Sequence, residues 1–305
     1  MNTWNPGGTV TGKRIVITGG TGFLGSALSA SLSERGDEVV VLSRGSGTDQ
    51  WDPAAGKLDP ALLAGADAVV NFSGAGIGDK RWTEERKRLI LDSRVQSTGL
   101  LATTMAEMAT PPDVFVSASA VGYYGDTGDV IADENSPPGD DFQAGVCVAW
   151  EHAAQPAADA GVRVVHPRIG IVLADGEGGL GRMAPLFKLG VGGRLGDGSQ
   201  WWSWITLRDE VRALEFLIDG NLAGPVNVAA PNPVTNADLT KAIGHALGRP
   251  TIVPVPKFAL DIRLGKELAA SLGYGSVRVA PAKLLAAGFT WTSETIDVAL
   301  AEVFA

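Results

Sequence analysis

The chain has 305 residues, of which 45% are hydrophobic, and a formal net charge of −9. Its basic residues are scattered, so no positive stripe can neutralise a phosphate backbone and nucleic acid is excluded as a partner. The single cysteine, Cys147, excludes an internal disulfide and a cysteine metal cluster, and it suits a reducing cytoplasm. The three histidines lie far apart in sequence, so no metal site is expected.

The first twelve residues lack the charged and apolar blocks of a signal peptide. No run of about 18 apolar residues occurs that could form a transmembrane helix. We therefore expect a soluble, cytoplasmic protein without membrane contact.

Short β-branched runs recur along the chain with helical segments between them. Two crossover helices are predicted by apolar residues at helical spacing, over 27–32 and 83–108. The predicted strands are Arg14–Ile17, Glu38–Leu42, Ala68–Phe72, Val114–Ser117, Val162–Val165 and Pro225–Val228. Their nearly continuous apolarity is typical of strands covered on both faces. The pattern predicts an α/β fold with a doubly wound parallel Rossmann sheet.

The amino-acid composition changes between Gly176 and Gly198, where nine glycines occur in 23 residues around a short predicted helix, 183–189. This stretch is either a mobile segment on the substrate side or a surface excursion, and long loops inside domains favour the first interpretation. After Val228 the pattern is helical, over 236–247, 257–272, 281–287 and 293–304. Asn236 is expected to cap the first of these helices.

Two domains follow from this organisation. Residues 1–173 and 203–231 are predicted to form the nucleotide-binding Rossmann domain. Residues 174–202 and 232–305 are predicted to form a smaller, mainly helical C-terminal cap on the substrate side.

Residues 18–25 read TGGTGFLG and stand between a predicted strand and a predicted helix. Gly19, Gly22 and Gly25 match the three duties of a dinucleotide fingerprint: a sharp turn, close approach to a pyrophosphate and tight packing of helix on strand. The intervening residues Thr21, Phe23 and Leu24 are expected to contact the same cofactor. A simple glycine turn is the alternative, and the strand before and helix after favour the dinucleotide site.

The second strand ends in Ser43 and Arg44, where an NAD site carries an Asp or Glu for the ribose hydroxyl. A guanidinium beside a hydroxyl suits a 2′-phosphate, so we expect NADP(H) in preference to NAD(H). The alternative is a solvated arginine at a strand end. The residues at the end of the third predicted strand and directly after it, Phe72, Ser73 and Gly74, are expected to line the cofactor riboses.

These motifs together resemble the extended short-chain dehydrogenases/reductases. They are most similar to the atypical group labelled the epimerase family, or nucleoside-diphosphate-sugar epimerase-like proteins, which includes the human short-chain dehydrogenase family 39U member. The resemblance runs nearly end to end and includes the small C-terminal domain. Further segments that carry it are Asn71–Gly74, Arg81–Trp82, Ser93–Val95, Ser119, Tyr123–Tyr124, Trp150–Glu151, Arg168–Leu173 and Gly196–Gln200.

The resemblance implies an NADP-binding core in which Ser43, Arg44, Phe72, Ser73, Arg94 and Ile171 contact the cofactor. For Arg94 a surface salt bridge to a neighbouring acid is the alternative.

The usual proton relay of the superfamily is missing. Ordinary members use Ser, Tyr and Lys, with Tyr and Lys four residues apart on one helix. If Glu151 occupies its usual place, the tyrosine maps to Gln143 and the lysine to Cys147, and Cys147 is best interpreted as a buried apolar residue.

Replacement catalytic residues are predicted in the loop after the fourth strand. Ser119 would hold a substrate carbonyl, and Tyr123 or Tyr124 would donate the proton. The alternative is that the two tyrosines only pack over the nicotinamide.

Four residues are candidate substrate contacts: Arg81, Trp82, Gln200 and Trp202. Aromatic faces and an adjacent amide would stack a base or a sugar, whereas the alternative is that they cap a helix and fill the core. The function predicted is an NADP-dependent epimerase or carbonyl oxidoreductase acting on a small, sugar-nucleotide-like molecule. The alternative is a non-catalytic NADP(H)-binding sensor or scaffold.

Overall fold

The computed structural model describes residues 12–45 and 50–305. The sequence's first eleven residues, on which the expectation about a signal peptide rests, lie outside the described residues. In chain order the strands are β1 (Arg14–Thr18), β2 (Glu38–Leu42), β3 (Ala68–Asn71), β4 (Val114–Ser117), β5 (Ser119–Ala120), β6 (Arg163–Ile169), β7 (Ile171–Leu173), β8 (Trp201–Trp202), β9 (Trp204–Thr206), β10 (Gly224–Val228) and β11 (Val234–Thr235).

The helices alternate with these strands and then dominate the last quarter of the chain. They are α1 (Phe23–Arg35), α2 (Glu84–Glu107), α3 (Phe142–His152), α4 (Gln155–Asp159), α5 (Gly178–Lys188), α6 (Leu207–Asp219), α7 (Asn236–Leu247), α8 (Lys257–Leu264), α9 (Lys266–Ala269), α10 (Ala282–Ala286) and α11 (Ile296–Val303). Short 3₁₀ turns occur at Pro60–Leu62 and Val121–Tyr124.

The central sheet is parallel, with strand order β10-β6-β4-β3-β1-β2, and β5 extends it beside β6. In this order the chain runs outward from β1 in one direction to β2 and in the other through β3. Ligands of open α/β sheets bind at such a reversal point, in the crevice at the carboxyl ends of the strands. The predicted Rossmann-type sheet is confirmed.

Alternate residues of β1 enter different cores, which explains why its sequence is continuously apolar. Ile15 and Ile17 pack with Leu28 and Leu32 of α1 in one core. Val16 packs on the other face, with Leu101 and Met105 of α2 among the core residues there. Helices therefore cover both faces of the sheet, as a doubly wound fold requires.

The C-terminal helices share the first of these cores with the sheet. Leu239 of α7, Leu284 of α10 and Leu300 of α11 are buried in the same apolar cluster as Ile15. The predicted helical cap is thus packed directly on one side of the sheet, and the domain bounds given above stay a prediction.

Two local expectations were wrong. Thr235, not Asn236, caps α7: its side chain accepts a hydrogen bond from the Asp238 amide, while the Asn236 side chain is buried and accepts one from the Leu195 amide. The single helix predicted over 257–272 is broken at Gly265, whose φ of 86° no right-handed helix accommodates.

No helix in the described ranges combines the length and apolarity needed to cross a bilayer.

Candidate functional site

The turn after β1 is a glycine cradle. Gly19 has a φ of 70°, and a Cβ on it would lie 2.8 Å from the backbone carbon of Phe72. A Cβ on Gly25 would lie 2.3 Å from the Gly19 backbone oxygen. Helix, strand and neighbouring loop therefore approach so closely that only glycine fits at these two positions.

The N-terminus of α1 is open to an anion. Its N-cap is Gly22, no side chain caps it, and no acidic residue stands in its first turn. Unpaired amides and the helix dipole both attract negative charge at such a position. Thr21 is exposed beside it, and Phe23 and Leu24 are partly buried, so these predicted contacts lie together at the cradle.

The loop after β3 lies beside the cradle and is fixed by Asn71, a residue whose organising role the sequence did not reveal. Its Oδ1 accepts hydrogen bonds from Thr18 Oγ1 at 2.6 Å and from the Ser73 amide at 3.0 Å. Its Nδ2 donates to Thr98 Oγ1 at 2.8 Å. Because Asn71 is fully buried, these bonds lock the loop carrying Phe72 against the glycine turn.

Arg94 reaches from α2 to this loop. Its Nη1 donates to the backbone oxygens of Ala75 at 2.9 Å and Ile90 at 3.0 Å, and its guanidinium lies 4.9 Å from the Trp150 ring. A Cβ on Gly74 would come within 3.1 Å of it. Burial lowers the pKa of Arg94, and no acidic side chain in the described ranges forms a salt bridge with it. The surface salt bridge considered from the sequence is therefore not what holds Arg94.

Arg44 is exposed at the end of β2, next to Ser43, which bridges to Gln50. Ile171 begins β7 and is partly buried. All three lie after the carboxyl ends of strands, and their contact with a cofactor stays a prediction.

Helix α5 contacts both the start of α1 and the loop after β3. A Cβ on Gly178 would lie 3.2 Å from a ring carbon of Phe23. Further along the helix, Arg182 donates to the Gly78 backbone oxygen and pairs with Asp79 at 2.7 Å. The first two turns of α5 therefore contact the start of α1 and the loop after β3.

A buried polar network follows β5. Ser119 Oγ donates to Glu151 Oε1 at 2.7 Å, and Glu151 accepts two bonds from Arg168, at 2.8 and 2.9 Å. Arg168 Nη1 donates to the Tyr124 hydroxyl at 2.9 Å, which in turn donates to Asn227 Oδ1 at 2.7 Å. The bidentate ion pair between Arg168 and Glu151, with its further hydrogen-bond partners, is the arrangement in which a buried ion pair is tolerated.

The two tyrosines differ sharply. Tyr124 is buried, and burial raises its pKa to about 12. Tyr123 is partly exposed; its ring stacks on the Arg168 guanidinium at 3.3 Å, and its hydroxyl has no hydrogen-bond partner in the described ranges. Of the two predicted proton donors, only Tyr123 has a hydroxyl free to meet a ligand.

The helix positions of the missing relay hold residues without acid–base capacity. Burial raises the pKa of the Cys147 thiol to about 11, which keeps it neutral. Gln143, one turn earlier, is partly buried, and its Nε2 is buried without a hydrogen-bond partner.

A cavity of about 380 Å³ opens beside Gln143, between the loop after β5, the start of α3 and the C-terminal segment. Its walls carry an aromatic pair, Trp82 and Phe142, whose ring centroids are 4.8 Å apart. The lining residues are Trp82, Gly122, Gly125, Asp126, Asp141, Phe142, Gln143, Glu267, Ala270, Ser271, Gly275 and Val277.

Of the four predicted substrate contacts, the cavity takes in only Trp82. Trp202 is buried in the main core, and Gln200 Nε2 donates to the Gly273 backbone oxygen at 2.8 Å. Arg81 is exposed and donates to the Ile262 backbone oxygen. Arg81, Gln200 and Trp202 are therefore committed to the fold, and their role in substrate binding stays a prediction without a contact to support it.

Residues 12–45 and 50–305 contain no cluster of three or more His, Cys, Asp or Glu side chains that could bind a metal ion.

Comparison with known proteins identifies the family of the chain. The model of the NAD dependent epimerase/dehydratase family matches residues 15–229, and that of a domain of unknown function, DUF1731, matches residues 255–303. Epimerase family protein Mb2239 of Mycobacterium bovis is 43% identical over 291 residues, which are 94% of this chain and 96% of that protein.

Two solved structures are similar to this chain over nearly its whole length. The crystal structure of human epimerase family protein SDR39U1 (isoform 2) with NADPH has a TM-score of 0.87 at 34% identity, covering 95% of this chain and 99% of that one. Thermus thermophilus UDP-glucose 4-epimerase with NAD has a TM-score of 0.72 at 20% identity, covers 95% and 98% of the two chains, and supports the fold alone. The chain belongs to the NAD dependent epimerase/dehydratase family and carries its DUF1731 domain at the C-terminal end.

Proposed function

We propose that this protein binds NADP(H) in the crevice at the carboxyl ends of β1 and β3 and exchanges hydride with a small molecule held in the adjacent cavity. The reaction class is carbonyl reduction, alcohol oxidation or epimerisation. The observation that carries the proposal is the glycine cradle that leads into a helix N-terminus with no side-chain cap.

The residues present fit a dinucleotide. The amides at Gly22 and the first turn of α1 would hold the pyrophosphate, and Gly19 and Gly25 leave the space that a Cβ would fill. Arg44, exposed with Ser43 at the end of β2, would hold the 2′-phosphate by charge-assisted hydrogen bonds. The NADPH in the human SDR39U1 structure supports this choice of cofactor.

When bound, the nicotinamide supplies or accepts the hydride. The chain's own contribution is to orient the substrate and manage its proton. Tyr123 is the donor that we propose for the substrate oxygen, because its hydroxyl is unpartnered and Arg168 lies against its ring. Ser119 is held by Glu151 and supports the same region as a positioned hydroxyl.

Nucleotide sugars are the substrate class that the resemblance of the sequence motifs implies, and they are the first compounds that we propose to test. The cytoplasmic location expected from the single cysteine likewise stays a prediction.

The cofactor half is tested by fluorescence titration of NADPH and NADH with wild type, Arg44→Ala and the control Arg208→Ala. Arg208 is an exposed arginine of α6 whose guanidinium lies 4.0 Å from the carboxylate of Glu302 in α11. Loss of a charged hydrogen bond is worth about 1.5–3 kcal/mol, so Arg44→Ala should weaken NADPH about 10- to 100-fold and leave NADH unchanged. Equal losses for both nucleotides, or the same loss in Arg208→Ala, would contradict the assignment.

The catalytic half is tested by following NADPH absorbance with carbonyl compounds, and NADP⁺ reduction with the corresponding alcohols. Tyr123→Phe should lower the turnover number while the affinity for NADPH is unchanged. If no compound in a broad set changes the oxidation state of the cofactor, hydride exchange is refuted.

A second function is supported by one observation. Gln143 and Cys147 occupy the relay positions, and the pKa of Cys147 is raised to about 11 by burial, so neither can move a proton at neutral pH. A non-catalytic NADP(H)-binding sensor needs only the cradle. It predicts tight NADPH binding together with no turnover for any substrate.

A further inference from the structure

Arg94 of α2 carries a positive charge without a counter-ion. It is partly buried, and no Asp or Glu of the described ranges forms a salt bridge with it. Burial lowers its pKa, because a guanidinium taken out of water without an acidic partner is disfavoured in its charged form. A ligand that brings oxygen acceptors to this position compensates for that lost hydration and is held by charge-assisted hydrogen bonds.

Only one nitrogen of this guanidinium is used by the described part of the fold. Nη1 donates to the backbone oxygens of Ala75 and Ile90, at 2.9 and 3.0 Å. Nε and Nη2 have no hydrogen-bond partner in the described ranges, and neither is among the side-chain atoms that are buried without a partner. Both nitrogens therefore reach the surface of the protein and retain N–H groups that can donate to the oxygens of a ligand.

The guanidinium is held between the loop after β3 and helix α3. A Cβ on Gly74 would come within 3.1 Å of its central carbon, and the same carbon lies 4.9 Å from the centroid of the Trp150 ring. Trp150 is fixed in turn, because its Nε1 donates to Thr98 Oγ1 at 2.9 Å. The loop on one side and the helix on the other therefore determine where the charge of Arg94 lies.

Cys147, which occupies the position of the missing lysine, is a further neighbour of Arg94. Burial is the main cause of the lowered pKa of Arg94, and Cys147 opposes it. Burial likewise raises the pKa of Cys147 to about 11, and Arg94 is among the groups that oppose this rise. The Cys147 thiol lies 3.8 Å from the Ala120 backbone oxygen, next to Ser119. The positive charge that α3 lacks is therefore supplied beside it by α2.

The strand order relates Arg94 to one half of the proposed cofactor. Along the carboxyl edge of the sheet Arg44 follows β2, the glycine cradle follows β1, the loop with Gly74 follows β3, and Ser119 comes after β4. Neighbouring strands are about 4.8 Å apart. A dinucleotide with its 2′-phosphate at Arg44 and its pyrophosphate at the cradle would therefore extend its nicotinamide half over β3 and β4, where Arg94 lies.

We propose that Arg94 supplies the cation that the missing lysine of α3 would supply, and that it makes the protein favour the reduced cofactor. With NADP(H) bound, its Nε and Nη2 donate to hydroxyl oxygens of the nicotinamide ribose. Its charge repels the positive ring of NADP⁺ and not the neutral ring of NADPH. This inference rests on the proposed function, since it assigns Arg94 a role at the same cofactor site.

Isothermal titration calorimetry with NADPH, NADP⁺ and adenosine 2′,5′-bisphosphate tests the inference. The bisphosphate keeps the 2′-phosphate of the cofactor and lacks its nicotinamide half. Arg94→Met keeps an unbranched apolar stem and removes the charged donors, so it should weaken NADPH about 10- to 100-fold and the bisphosphate less than about 2-fold. Arg44→Ala should weaken both ligands, because both carry the 2′-phosphate.

The dissociation constant of NADP⁺ divided by that of NADPH measures the effect of the charge. This ratio should fall about 3- to 10-fold in Arg94→Met and be kept in Arg94→Lys. A side chain that only supports the loop would weaken both nucleotides alike and leave the ratio unchanged. Arg94→Gln, which keeps an amide donor and loses the charge, should show the same fall if Arg94→Met does not fold. The control is Arg88→Met, which changes an exposed arginine of the same helix and should leave all three affinities unchanged.

Unchanged NADPH affinity in Arg94→Met, equal losses of NADPH and the bisphosphate, or an unchanged ratio of the two nucleotides would overturn the inference. The same effects in Arg88→Met would overturn it as well. Failure of the proposed function is distinguishable, because wild type itself would then bind no NADPH, whereas failure of the inference alone leaves wild-type binding and the effect of Arg44→Ala intact.

Discussion

Substitution of Tyr124 should lower the stability of the protein, whereas substitution of the adjacent Tyr123 should leave it almost unchanged. The Tyr124 hydroxyl is part of the buried network, and the Tyr123 hydroxyl has no hydrogen-bond partner in the described ranges. In Tyr124→Phe, Arg168 Nη1 loses an acceptor 2.9 Å away and Asn227 Oδ1 loses a donor 2.7 Å away. In Tyr123→Phe no hydrogen bond of the described ranges is lost. The ring contacts with Arg168 remain in both variants.

The magnitude follows from the two groups left unpaired. A buried charged donor without its acceptor costs about 1.5–3 kcal/mol, and a neutral acceptor adds about 1 kcal/mol. Tyr124→Phe should therefore lower the free energy of unfolding by about 2–4 kcal/mol, whereas Tyr123→Phe should change it by less than about 0.5 kcal/mol.

Urea unfolding at pH 7, followed by tryptophan fluorescence, measures both. With a slope of about 3 kcal/mol per molar urea, the midpoint of Tyr124→Phe should fall by about 1 M at an unchanged slope. Equal midpoints for the two variants would refute the structural role of Tyr124.

The stability of the protein at alkaline pH provides a second test of the buried Tyr124 hydroxyl. Burial raises the pKa of Tyr124 to about 12, above the usual value near 10, so the unfolded chain ionises first as the pH rises. Its stabilisation is complete below pH 10 and is lost between pH 10 and 12. The deficit of Tyr124→Phe should consequently shrink across that window, and a deficit that stays constant would contradict the burial of the phenol.

Four further substitutions, one of them a control, test the crevice and the core. Gly25→Ala should lower the free energy of unfolding by about 1–3 kcal/mol and weaken NADPH binding, because the added Cβ would lie 2.3 Å from a backbone oxygen. The control Gly99→Ala lies in a helix with open space around it and should stabilise the fold by about 0.5–1 kcal/mol. Urea midpoints measure both effects. Asp79→Asn removes the partner of Arg182 across the crevice, so stopped-flow displacement should show faster NADPH release, and an unchanged rate would mean that α5 does not retain the nucleotide. Burial raises the pKa of Glu210 well above its usual value, so the contribution of this carboxyl group to stability is full in acid and is lost as the pH rises from about 4.3. Glu210→Gln should therefore have a higher free energy of unfolding than wild type at pH 7, by an amount that shrinks toward pH 4. A difference that does not change with pH would contradict burial of a neutral acid.

The strands and the glycine cradle could be predicted from the sequence because their causes are local. A continuous apolar run such as 14–17 can be satisfied only by a strand covered on both faces, and the glycine spacing has meaning only between a strand and a helix. The strand β2 begins and ends at the predicted residues, Glu38 and Leu42.

The network around Arg168 could not be predicted, because its members come from five separated segments. Glu151, Tyr124 and Asn227 meet only when β6, β10 and α3 have packed together. Sequence reasoning singled out both tyrosines by their neighbouring glycines, and only burial distinguishes Tyr124 from Tyr123. The same limit applies to Gln200 and Trp202, which look like ligand contacts in sequence and are fixed in the fold by distant partners.

A crystal structure of the protein with NADPH tests the central claim most directly. The account predicts that the 2′-phosphate contacts Arg44, that the pyrophosphate lies at Gly22 and the first turn of α1, and that the nicotinamide faces the cavity lined by Gln143 and Trp82. A dinucleotide bound with its 2′-phosphate away from Arg44, or with the nicotinamide turned away from that cavity, would contradict it.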